Sequence, residues 1–290
     1  MNPNQIRRLR ALLVLARVPN LPTVWSNCLA GWWLGGGGNA WKLPLLLFGA
    51  SALCAGGMFL NDAFDVEFDR QNCPSRPIPR GVISRETVWV WSFGWLAAGT
   101  LTLAMLGKTE GVLALALLAC IVLYNAAHRG IAASPWLLGL CRFWVYVIAG
   151  STGAGGVNGW PIWCGVALAF YVAGIGHIAQ RENSRGPVPV WVLLPLAAPV
   201  FLAMLLNSGD ARTPAALVSL VLVVWVAWCV RAIFQPGKVT IARTVYGLMA
   251  GIVFVDWLAV APQIPHLLGA VVFLALFGAV QLLQRFVPVT

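Results

Sequence analysis

The sequence predicts an all-helical fold, a single domain over residues 1–290 that crosses a membrane about nine or ten times. Two observations on composition carry this prediction, since 60% of the residues are hydrophobic and only 10% are charged. A soluble domain would carry about 25% charged residues. The third observation is that apolar stretches of about 20 residues, the length that a transmembrane helix needs, recur along the whole chain.

The predicted spans follow one another with short polar connections. They lie near residues 12–34, 42–61, 87–106, 111–127, 134–153, 160–180, 188–206, 214–234, 240–261 and 266–286. The first is expected to be a permanent span, because no small-residue cleavage pattern follows a short apolar core. The ninth is unusual in that it contains Arg243 and Asp256.

The basic residues predict the orientation of the chain. The formal net charge is +10. With the amino terminus in the cytoplasm, the side opposite the cytoplasm holds only Lys42, Lys108 and Arg212. This bias is typical of membrane proteins, so we expect membrane lipids as partners and no nucleic acid. We place the protein in the bacterial inner membrane, with residues 62–86 and 181–187 and the active site facing the cytoplasm.

An acidic cluster follows the second predicted span. The segment NDAFDVEFD, residues 61–69, contains four of the nine acidic residues of the chain. If one helix continues through it, Asp62, Asp65 and Asp69 fall within about 60° of one another, whereas Glu67 points to the opposite face. Mg²⁺ suits such oxygen ligands and is usually shared between one or two carboxylates and substrate phosphates. The alternative is a solvated acidic helix end.

Three segments resemble the UbiA superfamily of intramembrane prenyltransferases. The string NDAFDVEFDRQNCPSRPIPRGVIS, residues 61–84, is similar to the first signature of that family, NDxxDxxxD followed by an RP…G segment. Tyr124, His128 and Arg129 resemble its Y-x-x-x-K-R motif, with His in place of Lys. Arg17-Val18-Pro19-Asn20 resembles its first helix. The second loop and GLCR at 139–142 are similar to a branch associated with Ebo gene clusters.

The resemblance implies a Mg²⁺-dependent enzyme. It would transfer a prenyl group from a prenyl diphosphate to an unidentified polar or aromatic acceptor within the membrane, and release pyrophosphate. As catalytic residues we assign Asp62, Asp65, Asp69, Arg129 and Arg142. As residues that bind metal or diphosphate we add Asn61, Arg76, His177, Arg181, Glu182, Asn183 and Arg185. Glu182 joins the three aspartates as a candidate metal ligand.

The second signature of the family is missing. An Asp-rich DxxxD motif should fall near residues 171–186, but Glu182 is the one acidic residue there. A second full carboxylate site is therefore not expected. We hypothesise that Arg181 and Arg185, one helical turn apart if the helix extends that far, contact the diphosphate in place of part of that site.

Two intramembrane charges also require an explanation. Arg142 should lie about 13 Å from the cytoplasmic end of the fifth span at 1.5 Å per residue. It could contact diphosphate or a polar acceptor, or it could form an ion pair with an acid of another helix. For Asp256, near the outer end of the ninth span, we expect a structural role.

Two other classes of protein remain open at this stage. A transporter, or a lipid-binding or lipid-flipping protein derived from a prenyltransferase scaffold, would also place ionisable residues within spans. A membrane phosphoalcohol transferase would use clustered aspartates too, but its DGxxAR segment is absent from the sequence.

Overall fold

The computed structural model describes residues 3–128, 131–182, 189–234 and 241–286, and within these ranges the chain forms helices without any β-strand. The predicted residues Arg129, Asn183 and Arg185 lie outside them. The helices are α1 (Pro3–Leu15), α2 (Leu21–Leu34), α3 (Lys42–Phe64), α4 (Val66–Asn72), α5 (Arg85–Ala104), α6 (Lys108–Ala127), α7 (Ser134–Thr152), α8 (Gly159–Ala179), α9 (Ala198–Leu206), α10 (Arg212–Val230), α11 (Ile241–Val260) and α12 (His266–Phe286).

Seven helical segments of the described residues are long and apolar enough to cross a membrane. They are Lys42–Phe64, Arg85–Ala104, Lys108–Ala127, Gly159–Ala179, Gly209–Ile233, Ile241–Val260 and His266–Phe286. The predicted helical membrane bundle is thus confirmed, whereas the count of nine or ten spans is not. α2 and the segment Val190–Leu206 are too short, and α7, which contains Arg142, is not among the seven.

The first predicted span, 12–34, is not one continuous helix. α1 ends at Leu15, Arg17 adopts a left-handed conformation with φ 46°, and a 3₁₀ turn precedes α2. Pro19 and Pro22 explain the break, because proline has no N–H to continue a helical ladder. α2 has 14 residues, and at 1.5 Å per residue it is about 21 Å long, shorter than the hydrocarbon core of a bilayer at about 30 Å.

The seventh and ninth predicted spans turn out differently from each other. In the seventh, Val190–Ala197 is a 3₁₀ helix that contains Pro195, and only Ala198–Leu206 is α-helical. The proline again accounts for the irregular half. The ninth is a regular helix, α11, in spite of Arg243 and Asp256, and Asp256 is fully buried in it.

Glycines bring α2 and α7 into close contact near the ends of both helices. A Cβ atom on Gly35 would lie 2.2 Å from the carbonyl oxygen of Gly150, and one on Gly153 would lie 2.3 Å from that of Gly35. A Cβ on Gly31 would lie 2.7 Å from the Cβ of Ala149. Side chains larger than hydrogen do not fit at these positions, so the two backbones close this end of the bundle. Space between α2 and α7 remains toward the other end.

The acidic segment is bent rather than a single helix. α3 ends at Phe64 and α4 begins at Val66, with Asp65 between them. Helical hydrogen bonds still cross the junction, from Asp65 N–H to the Asn61 carbonyl at 3.0 Å and from Asp69 N–H to the Asp65 carbonyl at 2.8 Å. The bend therefore keeps the acidic residues at one end of the bundle, which we call the Asp-rich end (Asp62, Asp65 and Asp69).

Candidate active site

A cavity of about 370 Å³ lies between α2, α3, α6, α7, α8 and α11. Its mouth is at the Asp-rich end and is lined by polar side chains, among them Arg17, Asn61, Tyr124, His128, Gln180 and Tyr246. Its deeper walls are mainly apolar and include Val24, Leu53, Leu117, Val145, Val172 and Met249. On α3 the lining runs from Asn61 to Ala50, which corresponds to about 16 Å of helix. A polar mouth above an apolar shaft suits a ligand with a charged head and a hydrocarbon tail.

Asp62 and Asp69 converge on one arginine, Arg76, next to this mouth. These three residues are not among the described lining residues, and they adjoin the cavity through Arg17, which lines it. Arg76 Nη1 donates to Asp69 Oδ2 at 2.7 Å and lies 3.5 Å from Asp62 Oδ1. Arg17 Nη2 lies 3.9 Å from the same Asp62 oxygen and 3.4 Å from Asn61 Oδ1. Both aspartates are buried, with 5% and 2% of their surface exposed. Buried carboxylates need such partners, because an unpaired charge away from water is strongly unfavourable.

Arg76 is placed by the loop between α4 and α5. Burial by itself lowers the pKa of Arg76, but the charge of Asp62 and the hydrogen bond to Asp69 outweigh it and raise the pKa above its ordinary value. Arg76 therefore stays positively charged. The loop turns at Gly81, which has a φ of +67° that favours glycine. The glycine of the RP…G pattern thus has a local structural basis.

Asp65 faces a different partner, His128. The His128 Nε2 and Asp65 Oδ1 atoms are 3.0 Å apart, and His128 Nδ1 lies 3.1 Å from the carbonyl oxygen of Asn125. A carbonyl oxygen only accepts, so the contact with Asn125 suits the tautomer in which Nδ1 carries the hydrogen. Tyr124 packs on the imidazole with ring centroids 5.4 Å apart. The histidine at the lysine position of the family motif therefore still pairs with the acidic segment.

Glu67 lies outside this group, as the helical spacing predicts. Its side chain is 69% exposed and pairs with Arg70 at 3.1 Å. Such an exposed pair contributes little to stability. Glu67 and Arg70 therefore provide matched controls for the buried acids and arginines of the mouth.

The acidic residues near the mouth match the predicted Mg²⁺ ligands only in part. Among the described residues no three His, Cys, Asp or Glu side chains converge on one metal position. Arg76 lies against Asp62 and Asp69, and His128 holds Asp65. However, Asp69 Oδ1 is buried and has no hydrogen-bond partner in the described part of the chain. Because Mg²⁺ commonly takes one or two protein carboxylates together with substrate phosphates, Asp62 and Asp69 suit it.

The second predicted region has a different character. His177 packs edge-on against Trp136 and Trp191, at 5.9 and 5.4 Å between ring centroids, and does not line the cavity. α8 ends at Ala179, and Arg181 and Glu182 follow on a turn where Glu182 is exposed. The predicted metal ligand Glu182 is therefore not buried with the three aspartates. Gln180 does line the mouth and donates to Ser134 Oγ at 3.1 Å.

Arg142 lies deep in the cavity wall and is 9% exposed. It donates to Asn27 Oδ1 at 2.6 Å and to Thr23 Oγ1 at 3.0 Å. Asn27 in turn donates to Asp256 Oδ2 at 2.7 Å. Arg142 therefore has features of both predicted alternatives. It faces the cavity, where a ligand could contact it, and it is linked through Asn27 to an acidic residue of another helix.

Several residues of this arrangement were not predicted as site residues, and Arg17, Asn27 and His128 are the most informative of them. Arg17 and His128 belong to segments that resemble the family. The sequence alone did not indicate that these two residues lie close to the acidic segment. Asn27 is one of few amides within the predicted spans, and a buried amide needs a hydrogen-bond partner. The sequence therefore indicates that Asn27 needs hydrogen-bond partners, but it does not identify them as residues of α7 and α11.

The family comparison assigns the chain to a known group. The model of the UbiA prenyltransferase family matches residues 21–287. The chain belongs to the UbiA prenyltransferase family. The predicted membership is confirmed.

Individual relatives are more distant. A digeranylgeranylglyceryl phosphate synthase of Metallosphaera sedula is 35% identical over 83 residues, which cover 29% of this chain and 29% of that protein. The first relatives are matched over only about a third of their length.

Solved structures agree over nearly the whole chain. A structure described as giving insights into digeranylgeranylglyceryl phosphate synthase in membranes has a TM-score of 0.54 at 19% identity, over 97% of this chain and 99% of that chain. A UbiA homologue from Archaeoglobus fulgidus bound to GPP and Mg²⁺ has a TM-score of 0.51 at 13% identity, over 95% and 99%. At these identities the likeness shows the fold.

Proposed function

We propose that this UbiA family member transfers a prenyl group from a prenyl diphosphate to an acceptor within the membrane. The observation that carries the proposal is the pairing of buried Asp62 and Asp69 with Arg76, next to Arg17, which lines the mouth of an apolar cavity. A diphosphate needs positive charge and metal-binding carboxylates, whereas an isoprenoid tail needs an apolar shaft. The mouth and the shaft of this cavity offer both in adjacent positions.

The proposed reaction gives roles to two arginines and two aspartates, namely Arg17, Arg76, Asp62 and Asp69. Arg76 and Arg17 supply positive charge beside the diphosphate and hydrogen-bond its oxygens. Mg²⁺, when bound by Asp62 and Asp69, would neutralise charge on the departing diphosphate. The bond between the prenyl C1 and the diphosphate oxygen breaks with its electron pair on that oxygen, C1 bonds to the acceptor, and the released pyrophosphate takes up the proton that the acceptor loses. The apolar walls exclude water from the allylic carbon, which suppresses hydrolysis.

The relatives support the class of donor and metal. The Archaeoglobus fulgidus homologue is bound to GPP and Mg²⁺, and the Metallosphaera sedula relative is named for the synthesis of a digeranylgeranylglyceryl phosphate. We therefore propose a prenyl diphosphate donor and Mg²⁺ for this chain, with the acceptor left open. Arg129, which follows His128 in the sequence, remains a proposed acceptor-side residue.

We also propose that the Asp-rich end faces the cytoplasm of a bacterial cell, because basic residues are concentrated on that side. Cys73, in the loop after α4, provides the test. A thiol reagent that cannot cross membranes should miss Cys73 in intact cells and modify it in inverted vesicles. Modification in intact cells would reverse the orientation.

The activity is tested with purified protein in lipid nanodiscs. Radiolabelled geranyl diphosphate, Mg²⁺ and a membrane lipid extract are added, and pyrophosphate and labelled lipid are measured. We expect both products in equal amounts and neither after chelation of the metal. Transfer of the labelled diphosphate across a vesicle membrane without a new covalent product would favour the transport alternative and contradict the proposal.

A further inference from the structure

A buried polar network joins three helices below the mouth of the cavity. Asp256 on α11 accepts hydrogen bonds from Tyr146 OH at 2.6 Å, from Asn27 Nδ2 at 2.7 Å and from Ser26 Oγ. Asn27 connects this carboxylate to Arg142 on α7. Asp256 and Asn27 have no exposed surface. Polar groups buried this completely persist only where their hydrogen bonds are satisfied.

The network fixes the orientation of the Asn27 amide. A guanidinium group only donates, so it requires the Asn27 oxygen on its side. A carboxylate accepts, so Asp256 takes the amide N–H on the other side. Asp256 therefore sets which face of Asn27 meets Arg142, although no direct ion pair between Asp256 and Arg142 occurs among the described residues. The hydrogen-bonded side-chain path from Asp256 to Arg142 runs through Asn27.

Arg142 keeps hydrogen-bonding capacity toward the cavity. A guanidinium has five N–H groups, and within the described chain Arg142 uses them on Asn27 and Thr23 alone. It lines the cavity eight residues after the start of α7 at Ser134, which corresponds to about 12 Å of helix. Its remaining N–H groups thus offer donors at a depth where the other lining residues are mainly apolar.

The charges of this region select the kind of ligand. Arg142 and Asp256 carry opposite formal charges and are linked by one neutral amide. The other arginine among the described lining residues is Arg17, at the mouth. A carboxylate or phosphate beside Arg142 would add an unbalanced charge in an apolar surrounding, which is strongly unfavourable. An uncharged carbonyl or hydroxyl oxygen accepts the same hydrogen bonds without that penalty.

We propose that Arg142 forms a second polar subsite that binds an uncharged oxygen of the prenyl acceptor, with Asp256 as a positioning residue that acts through Asn27. The role of this subsite in catalysis rests on the proposed transferase function. The kind of ligand it binds is inferred only from the residues and charges of the cavity. It makes the acceptor an otherwise apolar molecule that carries a neutral oxygen distant from the diphosphate. An anionic group on the acceptor would stay at the mouth.

The test measures binding without any prenyl transfer. Saturable binding of radiolabelled octanophenone to the protein in nanodiscs is measured, with octylbenzene and 4-octylbenzoate as competitors. The three probes share a ring and an octyl-length chain, and they differ in having a neutral oxygen, no oxygen and a carboxylate. We expect octanophenone to bind at least about tenfold more tightly than octylbenzene, as a buried hydrogen bond to a charged donor would give.

The variants separate positioning from folding. Arg142→Leu should bring the ratio of the two affinities to about one, because the donors are gone. Asp256→Asn should lower the ratio by about threefold to tenfold while octylbenzene still binds. The exposed Asp210 provides the control, and Asp210→Asn should leave the ratio unchanged. If Asp256→Asn loses octylbenzene binding as well, Asn27→Ala tests the same connection.

Three results would overturn the proposal. They are equal affinity of the protein for octanophenone and octylbenzene, tighter binding of 4-octylbenzoate, or an unchanged ratio in a folded Asp256→Asn or Asn27→Ala variant. The pyrophosphate assay remains independent, because a protein without this subsite could still transfer prenyl groups to another acceptor. If prenyl transfer fails while the protein still binds octanophenone more tightly than octylbenzene, the proposed function is contradicted and the proposed subsite stands.

Discussion

The two regions that the family pairs as signatures differ sharply in this chain. Residues 61–84 bring Asp62 and Asp69 into buried contact with Arg76, and they hold Asp65 against His128. The corresponding end of α8 presents an exposed Glu182 and packs His177 between tryptophans. Buried charge is thus concentrated on one side of the mouth. Within the described residues, which stop at Glu182 in the second region, the enclosed charged site is therefore the one formed by residues 61–84.

The difference has a physical cause. A carboxylate is stable out of water when cations and hydrogen-bond donors surround it. The loop after α4 supplies Arg76 for this purpose, and α1 ends so that Arg17 reaches the same carboxylate. The described residues after α8 offer no comparable enclosure for Glu182, which remains in contact with solvent.

The largest expected effect separates a buried from an exposed acid of the same segment. Asp62→Asn should lower prenyl transfer by about a hundredfold or more, the scale seen when one charge-stabilising group is removed from an active site. Glu67→Gln should retain nearly full activity, because Glu67 points to solvent. The measurement is labelled lipid formed from geranyl diphosphate at limiting Mg²⁺. Full activity in Asp62→Asn would break the comparison.

A matched pair of arginines tests the diphosphate contact. Arg76→Gln should weaken the binding of geranyl diphosphate by about tenfold to a hundredfold, because it removes a charge-assisted hydrogen bond. Arg70→Gln should leave the Kd within about twofold, since Arg70 is exposed and pairs only weakly with Glu67. Equilibrium binding in nanodiscs gives both values. Equal losses in the two variants would indicate a general effect of surface charge.

The second region should give a smaller effect on the same measurement. Arg181→Ala combined with Arg185→Ala is expected to weaken diphosphate binding by about threefold at saturating Mg²⁺, as loss of partly screened charges would. A loss larger than that of Arg76→Gln would reverse the comparison between the two regions. Unchanged binding would remove both arginines from the proposed diphosphate contacts.

The smallest effect concerns the loop that delivers Arg76. Gly81→Ala should lower the free energy of unfolding by about 1 kcal/mol, because alanine is strained at positive φ. No atom lies within 4 Å of the added Cβ, so sterics contribute nothing further. Gly94→Ala on α5, also in open space, should instead be neutral or stabilising. Denaturation in detergent compares the two, and equal stabilities would refute the proposed role of the turn.

Composition and hydropathy were sufficient to predict the helical bundle, and the NDxxDxxxD spacing was sufficient to predict the Asp-rich end. The break at Ala16–Asn20 follows from Pro19 and Pro22. It was not predicted, because hydropathy averaged over about 20 residues does not register single prolines. The pairing of Asp65 with His128 and the link from Arg142 to Asp256 could not be predicted. Ser26 and Asp256, for example, are 230 positions apart in the chain, and their contact depends on how the helices pack.

The most direct test of the account is the number of metal ions held with the substrate. Mn²⁺ replaces Mg²⁺ as a spectroscopic probe, and its binding is titrated in the presence of a non-reactive thio analogue of geranyl diphosphate. We expect one tightly bound ion per chain that Asp62→Asn abolishes and that Glu67→Gln retains. Two equally tight ions, with one lost on Glu182→Gln, would contradict the proposal that residues 61–84 supply the carboxylate site.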